Sequence, residues 1–173
     1  MPRVRRALRA AFIMQENTGM MGNRTRLSID VGEAARSIQW LMPDVAFFVS
    51  DARFATRPNR APGDIRPHWK WSSAMAAHAN PNDPMRMEGL QALSQLNYYM
   101  KQYGTRYGFL LTDHELVAIR RLDDNGNLEL SQSIPWGAGG NAAQPVLTVM
   151  LAFWYLGMLA ANDQGALAWN VIK

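Results

Sequence analysis

The chain has no cysteine, so disulfide frameworks, thiolate catalysis and every cysteine-ligated zinc or iron–sulfur site are excluded. It also lacks an apolar run long enough to cross a bilayer. The longest, Val146 to Ala161, ends on Asn162-Asp163, short of the roughly 18–20 residues a spanning helix needs, and is expected to be a buried helix. The basic start, Met1-Pro2-Arg3-Val4-Arg5-Arg6, is followed only by a short apolar stretch from Ala10 to Met14 before Gln15-Glu16-Asn17. That is too little for a secretory leader. The expected location is therefore intracellular, cytoplasmic or nuclear, with no membrane partner. No Gly-rich loop leads into Lys-Ser or Lys-Thr, and Gly137 to Gly140 lacks the lysine, so nucleoside-triphosphate binding has no support. Serine-nucleophile signatures and internal repeats are missing too. His68, His78 and His114 stand apart with no paired ligand spacing, which argues against zinc and leaves them as surface histidines.

What is present is globular. Of 173 residues, 48% are hydrophobic and 18% charged, enough to build one core and too few residues for a second domain. The charge is unevenly spread: residues 1–70 hold twelve Lys/Arg against six Asp/Glu, whereas residues 71–173 hold six against eight. A front-loaded basic surface suits a polyanion, because cations gain by neutralising phosphates and releasing counterions; it is equally what a solvated Arg-rich face looks like.

Periodicity divides the chain into 1–24, a basic helix and loop, 25–161, the core, and 162–173, a tail. Val4, Leu8, Ala11 and Phe12 share a face of a helix from Pro2 to Glu16. Thr25 to Val31 alternates as a strand does, and Val45 to Val49 is the short apolar run of a strand buried on both faces. Arg53 to Gly63 has no period and reads as an exposed hairpin tip or insertion, followed by a short strand containing Asp64 and Ile65 that stops at Pro67. From Arg86 to Tyr103 a helical stripe of Leu90, Leu93, Leu96, Met100 and Tyr103 runs beside a polar one of Gln91, Gln95, Tyr99 and Gln102. Three strands follow, over 107–112, 116–122 and 127–131, joined by Asp113-His114-Glu115 and by a loop carrying Asn125-Gly126. Pro135 to Pro145 reads as loop. The order predicts an α/β (α+β) single domain with a central mixed β-sheet flanked by helices.

Several stretches carry a resemblance: Pro43-Asp44, Gly63-Asp64-Ile65-Arg66-Pro67-His68-Trp69-Lys70-Trp71, Gln95-Leu96-Asn97-Tyr98-Tyr99, Tyr107 to Asp113, Glu115 to Arg121 and Ile134-Pro135-Trp136. Together they resemble a group of uncharacterised fungal proteins that is similar in turn to the PD-(D/E)XK nuclease-like superfamily, over about residues 25–161. The resemblance implies a restriction-endonuclease-like core in which Asp44 and Asp64 hold Mg²⁺ or Mn²⁺, Arg66 stands at the superfamily's lysine and Gln95 matches its helical glutamine. Two strand-borne carboxylates make a hard oxygen site suited to such ions, which would polarise a phosphodiester and activate water. Arginine at the lysine position cannot take a proton from water, although it can clamp a phosphate with parallel donors. A further acid could come from Glu16 or Glu33. Arg5, Arg6, Lys70 and Tyr99 are candidate nucleic-acid contacts, and His68-Trp69-Lys70-Trp71 interleaves aromatics with a cation, as base-stacking surfaces do, although core anchoring is the commoner use of tryptophan.

Two functions follow from that reading. One is a degenerate nuclease-like module that binds DNA, RNA or a protein partner through its basic half. The other is a working Mg²⁺- or Mn²⁺-dependent nuclease, with Asp44, Asp64, Arg66 and Gln95 as its catalytic group.

Overall fold

In the computed structural model, which describes residues 1–38, 42–80 and 82–162, the alternating segment forms β1 (Leu27–Val31) and the apolar run β2 (Val45–Val49). The third strand departs from expectation. β3 covers Asn59–Ile65, and Asn59, Ala61, Pro62, Gly63 and Asp64 in it are buried, so the second half of the stretch expected to be an exposed insertion is a central strand. Its composition misleads because of Pro62. Proline removes a ladder donor, yet β3 gains its second neighbour only from Gly63 onward, so Pro62 lies where the strand has one partner.

Helix α2 (Ser73–Ala76) is a single turn, and α3 spans Pro84–Tyr103. The sequence marks both ends of α3. The Asp83 carboxylate accepts the Met85 N–H at 2.8 Å ahead of Pro84, and Gly104 closes the helix in the left-handed region at φ 63°. After it come β4 (Tyr107–Leu111), β5 (Glu115–Arg121), β6 (Leu128–Leu130) and β7 (Ile134–Pro135). The last of these reaches Pro135, the first residue of the stretch expected to be loop. Helix α1 (Pro2–Asn17) and helix α4 (Val149–Ala161) complete the set.

The strands form one seven-stranded mixed sheet in the order β1-β2-β3-β4-β5-β6, with β7 paired to β5 beside β6's stretch. All neighbours are antiparallel except β3 and β4, which run parallel with Gly63 opposite Phe109 and Ile65 opposite Leu111. The crossover between them is α3, as a parallel pair requires. Alternation then sorts the core into two layers. Val4, Leu8 and Phe12 of α1 and Phe153 and Leu156 of α4 pack with Ile29, Phe47, Phe109 and Leu111 on one face. Leu93, Leu96, Tyr99 and Met100 of α3 pack with Trp71, Leu110 and Val117 on the other. The sheet is thus sandwiched between helices.

Helix α4 is less buried than its all-apolar sequence suggests, since Met150, Leu151 and Tyr155 are exposed. Among the described residues no helix is long and apolar enough to cross a membrane. The tail expected over 162–173 lies, after Asn162, outside the described residues.

Candidate functional site

The strand register builds the site. Val45 pairs with Gly63 across β2 and β3, so one step further the antiparallel ladder sets Asp44 opposite Asp64. The two carboxylates lie within hydrogen-bonding reach of one another. Asp44 is exposed, and its Oδ2 accepts the Ile65 backbone N–H at 2.8 Å. Asp64, opposite Leu110, faces the α3 layer and is 4% exposed.

Arg66 follows two residues on, hence on the same face. Its Nε donates to Asp64 Oδ2 at 2.6 Å and its Nη2 donates to Gln95 Oε1. Gln95 Nε2 donates in turn to the Tyr99 hydroxyl oxygen at 2.9 Å. Asp44, Asp64, Arg66, Gln95 and Tyr99 therefore form one polar chain from the sheet into α3. The i, i+4 spacing of Gln95 and Tyr99 keeps both on one side of the helix. Tyr99 is buried, so it steadies Gln95 and offers no face to a nucleobase.

Burial dominates the electrostatics. Loss of solvent pushes the Asp64 carboxyl up to about 6, the Arg66 hydrogen bond and charge pull it down, and neighbouring Asp44 adds to the rise. A buried carboxylate with a second acid beside it calls for a cation. In ligand type the two acids fit Mg²⁺ or Mn²⁺, but the Arg66 guanidinium, bonded to Asp64 and braced by Gln95, already supplies positive charge where the resemblance calls for a lysine beside a metal. A permanently charged guanidinium cannot act as general base, so Arg66 cannot take a proton from water at the lysine position.

The other expected residues separate. Arg5 donates from Nε to the Ile29 carbonyl at 3.1 Å and pairs with Asp30 near the end of β1, while Glu16 pairs with Arg26 at its beginning. Helix α1 thus runs along β1 with its N-terminal turn, bearing Arg3, Arg5 and Arg6, at the sheet end that holds Asp44 and Asp64. Glu16 is at the far end and is no third acid for the pair. Glu33 sits in a short helical turn after β1, beside Gly32, whose N–H donates to the Asp44 carbonyl at 2.9 Å. Lys70 points to Glu88 of α3, 3.2 Å away.

The same sheet end carries features that sequence spacing conceals. Ile65, Arg66, Pro67, Trp69, Thr112 and Trp136 line an open groove of about 630 Å³. Trp69 is 65% and Trp136 46% exposed, so Trp69 is a surface ring while Trp71 is fully buried and takes the core-anchoring part. Next to the groove, His68 and His114 meet Asp113, which corrects the view of these histidines as scattered. Ile65 and Leu111, the last residues of their strands, are paired in the parallel ladder, so residues three past each strand end, 68 and 114, emerge side by side. Pairing of strand ends was the available signal. His78 stays apart, 3.9 Å from Asp83.

Compared with family models, curated proteins and solved structures, the chain matches none.

Proposed function

We propose that the chain is a nuclease-like module with a restriction-endonuclease-like core, in which Arg66 has taken over the cation's part, and that it binds nucleic acid without cutting it. The observation that carries this reading is the guanidinium held between Asp64 and Gln95. Two of its five N–H donors are used there, leaving the remainder of a planar fork suited to a phosphate. Beside it the groove carries the exposed rings of Trp69 and Trp136, and a cation next to stacking surfaces is what single-stranded nucleic acid uses; the basic first turn of α1 lies at the same end of the sheet on its other face. Arg3, Arg6 and Arg9 are exposed at i, i+3 and i+6 on α1, with no ion pair among the described residues, and are free to meet phosphates.

The second reading, an active Mg²⁺- or Mn²⁺-dependent nuclease, draws on the adjacency of Asp44 and Asp64 and the raised carboxyl of Asp64, which a divalent ion would relieve if Arg66 swung aside.

The binding test uses labelled single-stranded DNA and RNA at a series of salt concentrations, with wild-type protein beside an R3E/R6E/R9E variant. Binding that weakens steeply with salt, and less steeply in the variant, supports the proposal. Absence of binding at low salt overturns it and makes a protein partner the leading idea.

A further inference from the structure

The loops after β3 and β4 bring together three side chains able to ligate a metal: His68, Asp113 and His114, whose ligand atoms all lie within 4.8 Å of one another. His68 Nδ1 is 2.8 Å and His114 Nε2 3.7 Å from the same carboxylate oxygen, Asp113 Oδ2. The two imidazoles stack with centroids 3.9 Å apart and planes 9° from parallel.

The surroundings hold this arrangement in place. The other carboxylate oxygen, Oδ1, accepts the His68 backbone N–H at 2.8 Å, which fixes Asp113 and leaves Oδ2 turned to the rings. The His114 backbone N–H donates to Thr112 Oγ1 at 3.1 Å, and the Trp69 ring meets the His68 ring edge-on at 5.3 Å. The His68 and His114 backbones and the Asp113 carboxylate are thus held, and the exposed His114 ring and the partly exposed His68 ring would have to turn out of the stack to aim their lone pairs at one ion. Such anchoring contacts orient the ligands of protein metal sites.

We propose that His68, Asp113 and His114 form a binding site for a borderline divalent transition ion of the Zn²⁺ class, separate from the Asp44–Asp64 pair. Two imidazole nitrogens and one carboxylate oxygen select such an ion over Mg²⁺, which prefers oxygen alone. Three protein ligands leave a fourth position of the tetrahedron to a small molecule or water. Asp113 also lines the groove of Arg66, Trp69 and Trp136, so a bound ion stands at the margin of that groove. The inference does not depend on whether the chain binds nucleic acid.

The test is calorimetric titration of the full chain with ZnCl₂ and with MgCl₂, together with the visible spectrum of the Co²⁺-loaded protein. His114 is well exposed, so H114A should keep its fold, which circular dichroism checks; D64N serves as the control at the other acid pair. The expected result is one Zn²⁺ per chain, affinity at least about ten-fold lower in H114A and in H68A, unchanged affinity in D64N, and tetrahedral Co²⁺ bands that disappear in H114A. Absence of Zn²⁺ binding overturns the proposal. So does Zn²⁺ binding that survives both histidine substitutions or that is lost in D64N alone.

Discussion

The Arg66 guanidinium and the buried Asp64 carboxylate are joined at 2.6 Å, yet Asp64 still holds its proton up to about 6. Burial and Asp44 outweigh the cation. Between the ordinary carboxyl value of 3.8 and about 6, the folded protein keeps a proton that the unfolded chain has released, so stability falls as pH rises through that window, by on the order of 2 kcal/mol. D64N, which is neutral at every pH and retains an acceptor for Arg66, should be more stable than wild type at pH 8 and nearly equal to it at pH 4. Urea unfolding at the two pH values measures both. A wild-type protein more stable than D64N at pH 8 would contradict the account of Asp64.

Gln95 links the strand to the helix. With Q95A the Arg66 Nη2 donor and the Tyr99 hydroxyl each lose a partner, at a cost of about 1–2 kcal/mol. Y99F should cost less. Because the two residues share one hydrogen bond, the double variant should cost less than the summed singles, and denaturant midpoints of the four proteins give the coupling directly.

Gly63 admits the ring that fills the core behind the site. A Cβ on it would lie 1.9 Å from Phe109 Cζ, closer than any packing tolerates. G63A should therefore lose several kcal/mol, on the order of 3 or more, and express as insoluble protein. A second substitution, F109L, should recover part of the soluble yield; failure of every smaller residue at 109 to do so would show that the clash is not the cause.

Glu115 is an acid with a structural task. Its carboxylate accepts the Ser73 N–H at 2.7 Å, the Ser73 hydroxyl at 2.9 Å and the Ser133 hydroxyl, tying α2 and the chain before β7 to the start of β5. E115A should cost roughly 3 kcal/mol by leaving these donors unmatched, and E115Q less, in thermal or urea unfolding. The substitution should leave nucleic-acid affinity per folded molecule unchanged.

How far the sequence reaches is plain from these residues. Periodicity and caps give the helix bearing Gln95 and Tyr99 and the strands on either side of the Asp113-His114-Glu115 break, because those signals are local. The motif reading names Asp44, Asp64, Arg66 and Gln95, and the fold joins them into one hydrogen-bonded chain. β3 is concealed because Pro62 and Arg60 carry loop chemistry into a strand whose burial comes from neighbours far away in sequence. The same reason hides His68 beside His114: only the parallel ladder between β3 and β4 makes residues so distant adjacent. That Tyr99 is buried and Trp69 exposed follows from which sheet face each meets, which a one-dimensional stripe does not decide.

Whether Arg66 turns the Asp44–Asp64 pair from a cutting centre into a holder of charge is decided by incubating labelled single- and double-stranded DNA and RNA with the protein, with and without Mg²⁺ or Mn²⁺, beside D64A. No strand cleavage above the D64A background is expected under any condition, with salt-sensitive binding to at least one substrate. Metal-dependent cleavage by the wild type that D64A abolishes would make the pair a working nuclease site.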